Sequence, residues 1–179
     1  MKRWRVVSGQ WAVISRSVVG GLWPAVCGLF LLLAACGGGQ STDAPPEILY
    51  GQDVCDACNM IISEEKFAAA YWTADGTARR FDDLGEMLSY FGSNPEERTS
   101  TWVHDLNSAA WLRAEDAWYV MNAGLTTPMG TGVVAVGDEA AAGALAFDQA
   151  GARVMNFTEL VEAAAAGEIG SMGGHGMGD

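Results

Sequence analysis

The chain has 179 residues, about half of them hydrophobic, and its 10 basic and 22 acidic side chains give a formal net charge of −12. This length suits one domain or two very small ones, with enough chain to bury a core. All of the acidic residues lie after residue 35, where only six basic residues remain. Such an acidic body argues against nucleic-acid binding, which needs lysine and arginine to neutralise phosphates, and against attachment to anionic lipids by charge alone.

The N-terminal segment has the order of features that is typical of a secretion signal. A basic start is followed by an apolar stretch over residues 18–35, which ends in small residues. Leu33-Ala34-Ala35-Cys36 resembles the lipobox of bacterial lipoproteins. An apolar stretch of this length is also compatible with a membrane-spanning anchor, but Pro24 and several glycines within it favour cleavage. We therefore predict a signal peptide over residues 1–35 and a fatty-acyl chain such as palmitate on Cys36.

After the signal, residues 36–47 are rich in glycine, serine and proline, which is typical of a flexible tether. The protein is predicted to be exported, anchored by its lipid to a bacterial membrane, and to face the periplasm. The folded body is predicted over residues 48–166, and a Gly/Met/His-rich mobile tail over residues 167–179.

The first half of the body predicts the order strand, strand, helix, strand. Ala74-Asp75-Gly76-Thr77 supplies a hairpin turn between the first two strands. Asp82 or Asp83 can cap the helix, whose apolar positions recur at helical spacing and which ends near residues 92–95. The predicted strands are residues 67–73, 78–81 and 100–103.

The second half repeats this order. An alanine-rich helix is predicted to begin at Asp138-Glu139 and to run to Phe147, with acidic residues at its positive end. A short helix over residues 158–166 closes the body. The predicted strands are residues 118–121, 133–136 and 154–157. The fold class predicted is therefore α+β, with two small ββαβ units.

The most informative local motif is Cys55-Asp56-Ala57-Cys58-Asn59-Met60. Two thiols and one thioether form a soft donor set, and soft sulfur ligands select Cu(I). A structural zinc site wants four ligands, and the body offers no second CxxC or histidine pair. Alternate positions of an extended segment point the same way, so Cys58 and Met60 are predicted to face one ion together. Cys55 is the next candidate ligand.

Three other interpretations of this motif remain open at this stage. The CxxC could be a thioredoxin-like redox pair, although it precedes the first good strand instead of following one. Met60 could simply fill the core. Finally, Cys55 and Cys58 could form an incidental small-loop disulfide, which would contribute little stability because the loop that it closes is short.

More distant donors are weaker candidates. Met129 lies in a Pro-Met-Gly loop and could close the site, or cover the core equally well. His104 is followed by Asp105, a carboxylate that could orient an imidazole, although a lone histidine on a strand is more often packed. Further candidates in the tail are Met172, His175 and Met177.

A resemblance to the NosL family rests on motifs that occur in the family's order. Cys55-Asp56-Ala57-Cys58-Asn59-Met60-Ile61-Ile62 resembles the family's signature near the mature N-terminus, although Asn59 stands where many relatives have glycine. Further similar motifs are Phe67-Ala68-Ala69, Arg80-Phe81-Asp82-Asp83, Trp102-Val103-His104-Asp105, Ala117-Trp118-Tyr119-Val120, Thr127-Pro128-Met129-Gly130 and Gly151-Ala152-Arg153-Val154-Met155-Asn156-Phe157. The resemblance covers roughly residues 48–165.

NosL-type lipoproteins are copper chaperones of nitrous-oxide reductase maturation. The resemblance therefore implies a protein that binds Cu(I) and delivers it to nitrous-oxide reductase, with its copper–sulfide centre, or to that enzyme's assembly factors. No phosphate-binding loop or nucleophile elbow indicates an enzyme. The alternative function is an exported thiol–disulfide oxidoreductase that acts on the cysteines of a metalloprotein.

Overall fold

A computed structural model describes residues 41–169 of the chain. The predicted signal peptide, Cys36 and tail residues 170–179 lie outside the described residues. Within residues 41–169, no helix combines the length and the apolar character that crossing a membrane requires.

The first unit is an antiparallel four-stranded sheet with one helix. Its strand order is β2-β1-β3-β4, so that β1 pairs with both β2 and β3. The elements are β1 (Ala69–Thr73), β2 (Ala78–Phe81), α1 (Leu84–Ser93), β3 (Arg98–His104) and β4 (Trp111–Arg113).

The second unit is a three-stranded antiparallel sheet with the corresponding order β6-β5-β7, again with its first strand in the centre. A final helix follows β7. The elements are β5 (Trp118–Met121), β6 (Val133–Val136), α2 (Glu139–Phe147), β7 (Arg153–Met155) and α3 (Phe157–Ala165). The prediction of two small ββαβ units is confirmed, with β4 as an addition to the first.

Three local features differ from the sequence-based expectation. The first strand begins at Ala69 because Glu65–Phe67 forms a 3-10 turn. The three-residue strand β4 is too short to leave a periodic pattern in the sequence. Strand β7 ends at Met155 because Asn156 caps α3 in a capping box with Glu159, which draws Phe157 into the helix.

The larger hydrophobic core joins the two units. One cluster of buried side chains contains residues of both units. Its fully buried members include Tyr71, Phe81 and Met87 from the first unit, and Tyr119 and Leu160 from the second unit. A smaller cluster lies under α2 and contains Val120, Val134, Val136 and Ala142. Burying both sheets in a shared core places the loops of the second unit against the first.

Candidate metal centre

The CxxC motif lies in a tight turn between two short bridged segments. Val54 and Ile61 form an antiparallel bridge, and the Cys55 N–H donates to the Met60 carbonyl at 2.8 Å. The Asn59 N–H donates to the Cys55 carbonyl at 3.0 Å, and Asn59 has a φ of 61°. The predicted extended segment is therefore wrong here, since a left-handed residue turns the chain between Cys58 and Met60. Asparagine and glycine both tolerate this conformation, which accounts for Asn59.

Four side chains converge beside this turn. The Cys55 and Cys58 Sγ atoms and one oxygen each of Asp82 and Glu86 all lie within 4.8 Å of one another. The Cys58 thiol donates to Asp82 Oδ1 at 3.6 Å, and the Cys55 thiol donates to Glu86 Oε2 at 3.7 Å. This geometry is that of a small anionic cluster with two sulfur donors.

Sequence reasoning missed the two carboxylates as members of the site. From the sequence, Asp82 is assigned to a helix cap and to the Arg80-Phe81-Asp82-Asp83 motif, and no role is assigned to Glu86. Both flank the N-terminus of α1, which begins at Leu84 with Asp83 as its cap. Their position near the start of a helix was visible in the sequence, but their proximity to the thiols depends on how the Cys55–Cys58 turn packs against α1.

Burial governs the acid–base chemistry of the cluster. It raises the pKa of the Cys55 thiol to about 12, and it is also the main reason why the pKa of Cys58 is raised, with repulsion from the Asp82 carboxylate adding to it. Burial likewise raises the pKa of Glu86, again with a contribution from Asp82. Negative charge is therefore costly in this cluster, and a bound cation would compensate it while displacing the thiol protons.

Met60 does not pack in the core. Its side chain is 54% exposed, although it follows Cys58 by only two residues on the same turn. Cys55, by contrast, is fully buried, and Cys58 is half-buried. Met60 is therefore accessible to solvent, two residues along the chain from the half-buried Cys58.

The β5–β6 loop brings Met129 to the same end of α1. Its backbone N–H donates to Asp83 Oδ2 at 3.0 Å, and the Thr131 hydroxyl donates to Asp83 Oδ1. Asp83 is fully buried and also caps α1 by accepting from the Gly85 and Glu86 N–H groups. One carboxylate thus joins the loop of the second unit to the helix that carries Glu86.

A glycine makes this close approach possible. A Cβ on Gly85 would lie 2.4 Å from both Cβ and Oγ1 of Thr131, far inside contact distance. The absence of a side chain at Gly85 therefore lets the Met129 loop rest directly on the first turn of α1.

His104 is placed in a different hydrogen-bond network. Its ring is buried, with Nδ1 2.7 Å from the Ala109 carbonyl and Nε2 2.8 Å from the Tyr50 hydroxyl. Nδ1–H must donate to the carbonyl, so Nε2 accepts from Tyr50. Burial lowers the pKa of His104, which favours this neutral form. The structure does not bring His104 into the Cys55–Glu86 cluster.

Asp105 does not have the orienting role that the sequence suggested for it. Its Oδ1 accepts the backbone N–H groups of Asn107 and Ser108, and its Oδ2 accepts that of Gly137. These bonds form the turn after β3 and tie it to the end of β6. The other predicted donors Met172, His175 and Met177 and the lipidation residue Cys36 lie outside the described residues.

The fold and the sulfur-containing cluster define a small α+β protein with a candidate soft-metal site. The sequence model of the NosL family matches residues 46–165, about two thirds of the chain, so the protein belongs to the NosL family. The crystal structure of the copper chaperone NosL from Shewanella denitrificans matches with a TM-score of 0.57 and 19% sequence identity, over 64% of this chain and 93% of that one. At this identity the match establishes the fold. Among curated proteins, none matches the chain significantly.

Proposed function

We propose that this protein is a non-enzymatic copper chaperone that binds Cu(I) and delivers it to another metalloprotein. The observation that carries the proposal is the turn at residues 55–60, which holds the two thiols of Cys55 and Cys58 and the exposed thioether of Met60. Membership of the NosL family and the likeness to a protein described as a copper chaperone support it. Sulfur donors of this kind prefer Cu(I) to harder ions.

Within this proposal, Cys58 and Met60 are the principal ligands. Cys55, buried behind them, takes up and releases the ion by ligand exchange. Met129 closes the site from the second unit, since Asp83 holds its loop at the same end of α1. Met172, His175 and Met177 are secondary candidates, whereas His104 could join the site only if its bonds to Tyr50 and Ala109 were broken.

The proposed client is nitrous-oxide reductase, with its copper–sulfide centre, or an assembly factor of that enzyme, as the family resemblance implies. Delivery would take place outside the cytoplasm, from a protein held at the membrane through a lipid on Cys36. The signal peptide over residues 1–35, the tether over residues 36–47, the copper-binding domain over residues 48–166 and the tail over residues 167–179 are parts of this same proposal.

The thiol chemistry does not favour the alternative, a thiol–disulfide oxidoreductase. Reactive cysteines of such enzymes have lowered pKa values, because the thiolate is the nucleophile. Here the pKa values of both Cys55 and Cys58 are raised.

The test is a competitive Cu(I) titration of the reduced protein against a chromogenic chelator. One-to-one binding is expected, with Zn(II) held far more weakly because a thioether contributes little to a borderline ion. Absence of Cu(I) binding, together with turnover of a dithiol substrate, would favour the oxidoreductase instead.

Two substitutions separate ligation from packing. Cys58→Ser removes a charged soft donor and is expected to abolish most of the Cu(I) affinity. Met60→Leu deletes only the sulfur, so it should weaken Cu(I) binding while changing the stability of the metal-free protein by less than about 1.5 kcal/mol. Met129→Leu is expected to behave in the same way. Unchanged copper affinity in Met60→Leu with a lowered melting temperature would mean that Met60 serves packing only.

A further inference from the structure

The turn that carries the two cysteines is attached to the free edge of the first sheet. Strand β2 is an edge strand, and its residue Arg80 lies opposite Ala70 of β1. On the outer side, the Arg80 carbonyl accepts the Asp56 N–H at 2.9 Å, and the Arg80 N–H donates to Asp56 Oδ2 at 2.7 Å. Asp56 thus satisfies both outward-facing backbone groups of Arg80.

The same carboxylate also meets the side chain of Arg79. Asp56 Oδ1 lies 3.4 Å from one guanidinium nitrogen, while the rest of that guanidinium pairs with Glu96. Glu96 in turn accepts the Tyr71 hydroxyl at 2.8 Å. Asp56 is therefore the end of a network that is rooted in the buried centre of β1.

The position of this attachment in the chain is specific. Asp56 directly follows Cys55 and precedes Cys58 by two residues. Arg80 of β2 precedes Asp82 by two residues, and the Asp82 carboxylate accepts a hydrogen bond from the Cys58 thiol. Two hydrogen bonds at one residue pair thus set the register between the thiols and the carboxylates.

We propose that Asp56 is a positioning residue for copper binding, and that its hydrogen bond to the Arg80 N–H holds both thiols over the start of α1. The inference rests on the proposed copper-binding function. Without this bond the turn keeps the bridge between Val54 and Ile61, the Asp56 N–H bond to the Arg80 carbonyl and the ion pair of Asp53 with Arg80, but it loses the side-chain hydrogen bond that fixes it to the β2 backbone. The turn is then less ordered before copper binds, and the entropic cost of ordering it is subtracted from the free energy of binding. The affinity for Cu(I) therefore falls.

The experiment compares Asp56→Ala, Asp56→Asn and Asp53→Ala in the mature full-length protein, reduced and held in detergent. Asp53→Ala is the control: it removes the same charge three residues away and loses the bond from the Leu49 N–H and an ion pair with Arg80 Nε at 3.6 Å, but it leaves the bond between Asp56 and the Arg80 N–H in place. Asp56→Asn keeps an oxygen that can accept from the Arg80 N–H while losing the negative charge.

Three quantities are measured: Cu(I) affinity by chelator competition, the rate at which N-ethylmaleimide labels Cys55 in the metal-free protein, and the urea midpoint. Asp56→Ala should lower Cu(I) affinity about 10–100-fold, the range for residues that orient metal ligands. It should also speed the labelling of the buried Cys55 thiol, while the urea midpoint stays near that of Asp53→Ala. Asp56→Asn should restore affinity and protection close to wild type.

The possible failures can be told apart. If Asp56→Ala matches Asp53→Ala in copper affinity, or if only the labelling rate changes, Asp56 does not position the ligands. If Asp56→Asn is as weak as Asp56→Ala, the hydrogen bond is not the cause and the inference is overturned. Failure of the wild-type protein to bind Cu(I) refutes the proposed function instead, and the labelling rates then still show whether Asp56 holds the turn.

Discussion

Asp83 has two roles that a single substitution can separate from ordinary helix capping. Its carboxylate caps α1 and also accepts the Met129 N–H and the Thr131 hydroxyl from the other unit. Asp138 caps α2 by accepting from the Ala141 N–H, at an exposed position. Asp83→Ala and Asp138→Ala therefore compare a buried helix cap that also accepts two tertiary hydrogen bonds with an exposed cap that accepts none from residues 41–169.

The expected magnitudes follow from these contacts. Loss of an N-cap costs about 1 kcal/mol, which is the prediction for Asp138→Ala. Asp83→Ala also leaves the Met129 N–H and the Thr131 hydroxyl without their acceptor in a mostly buried setting, and each unpaired donor costs about 1–3 kcal/mol. The free energy of unfolding should thus fall by about 3–7 kcal/mol in Asp83→Ala. If Met129 is a ligand, Cu(I) affinity should fall as well.

The assay is urea unfolding of the reduced, metal-free protein, followed by circular dichroism and tryptophan fluorescence. Coincident transitions with an unchanged m-value are needed before the two free energies are compared. Equal losses in Asp83→Ala and Asp138→Ala would refute the reasoning, because the bonds to Met129 and Thr131 would then contribute nothing.

Three further predictions concern other parts of the chain. Gly85→Ala should lower the free energy of unfolding by about 1–3 kcal/mol, because the added Cβ clashes with Thr131. Gly92→Ala, at an open position of the same helix, should raise it by about 0.5–1 kcal/mol. A rise in both variants would contradict the packing described. Because burial lowers the pKa of His104, the unfolded chain takes up its proton at higher pH than the folded one, so the free energy of unfolding should decrease as the pH falls below about 6.5. His104→Gln should flatten this slope in urea titrations between pH 7.5 and 5.5, and an unchanged slope would assign it to other groups. Cys36→Ala should abolish incorporation of labelled fatty acid, and continued labelling would exclude Cys36 as the lipidated residue.

Much of the fold was accessible from local patterns. Strands β2, β5 and β6 have the bounds predicted from the sequence, and α1 begins after Asp83, one of its two predicted caps. These features depend on neighbouring residues, so they leave a readable signal. The last strand was misplaced because Phe157 suits a strand by propensity, while the Asn156–Glu159 capping box assigns it to a helix.

The sequence by itself places the candidate sulfur donors Cys55, Cys58 and Met60 within six residues of one another, so they are close along the chain in any fold. Only the tertiary structure decided what surrounds them. Glu86 meets the Cys55 thiol from 31 residues away, and Asp83 reaches the Met129 loop across 46 residues. The first contact depends on how the Cys55–Cys58 turn packs against α1, and the second on how the two sheets pack around a shared core. No local pattern encodes either packing. The same reason explains His104, whose ring nitrogens are engaged by Tyr50 and Ala109 once the strands are assembled.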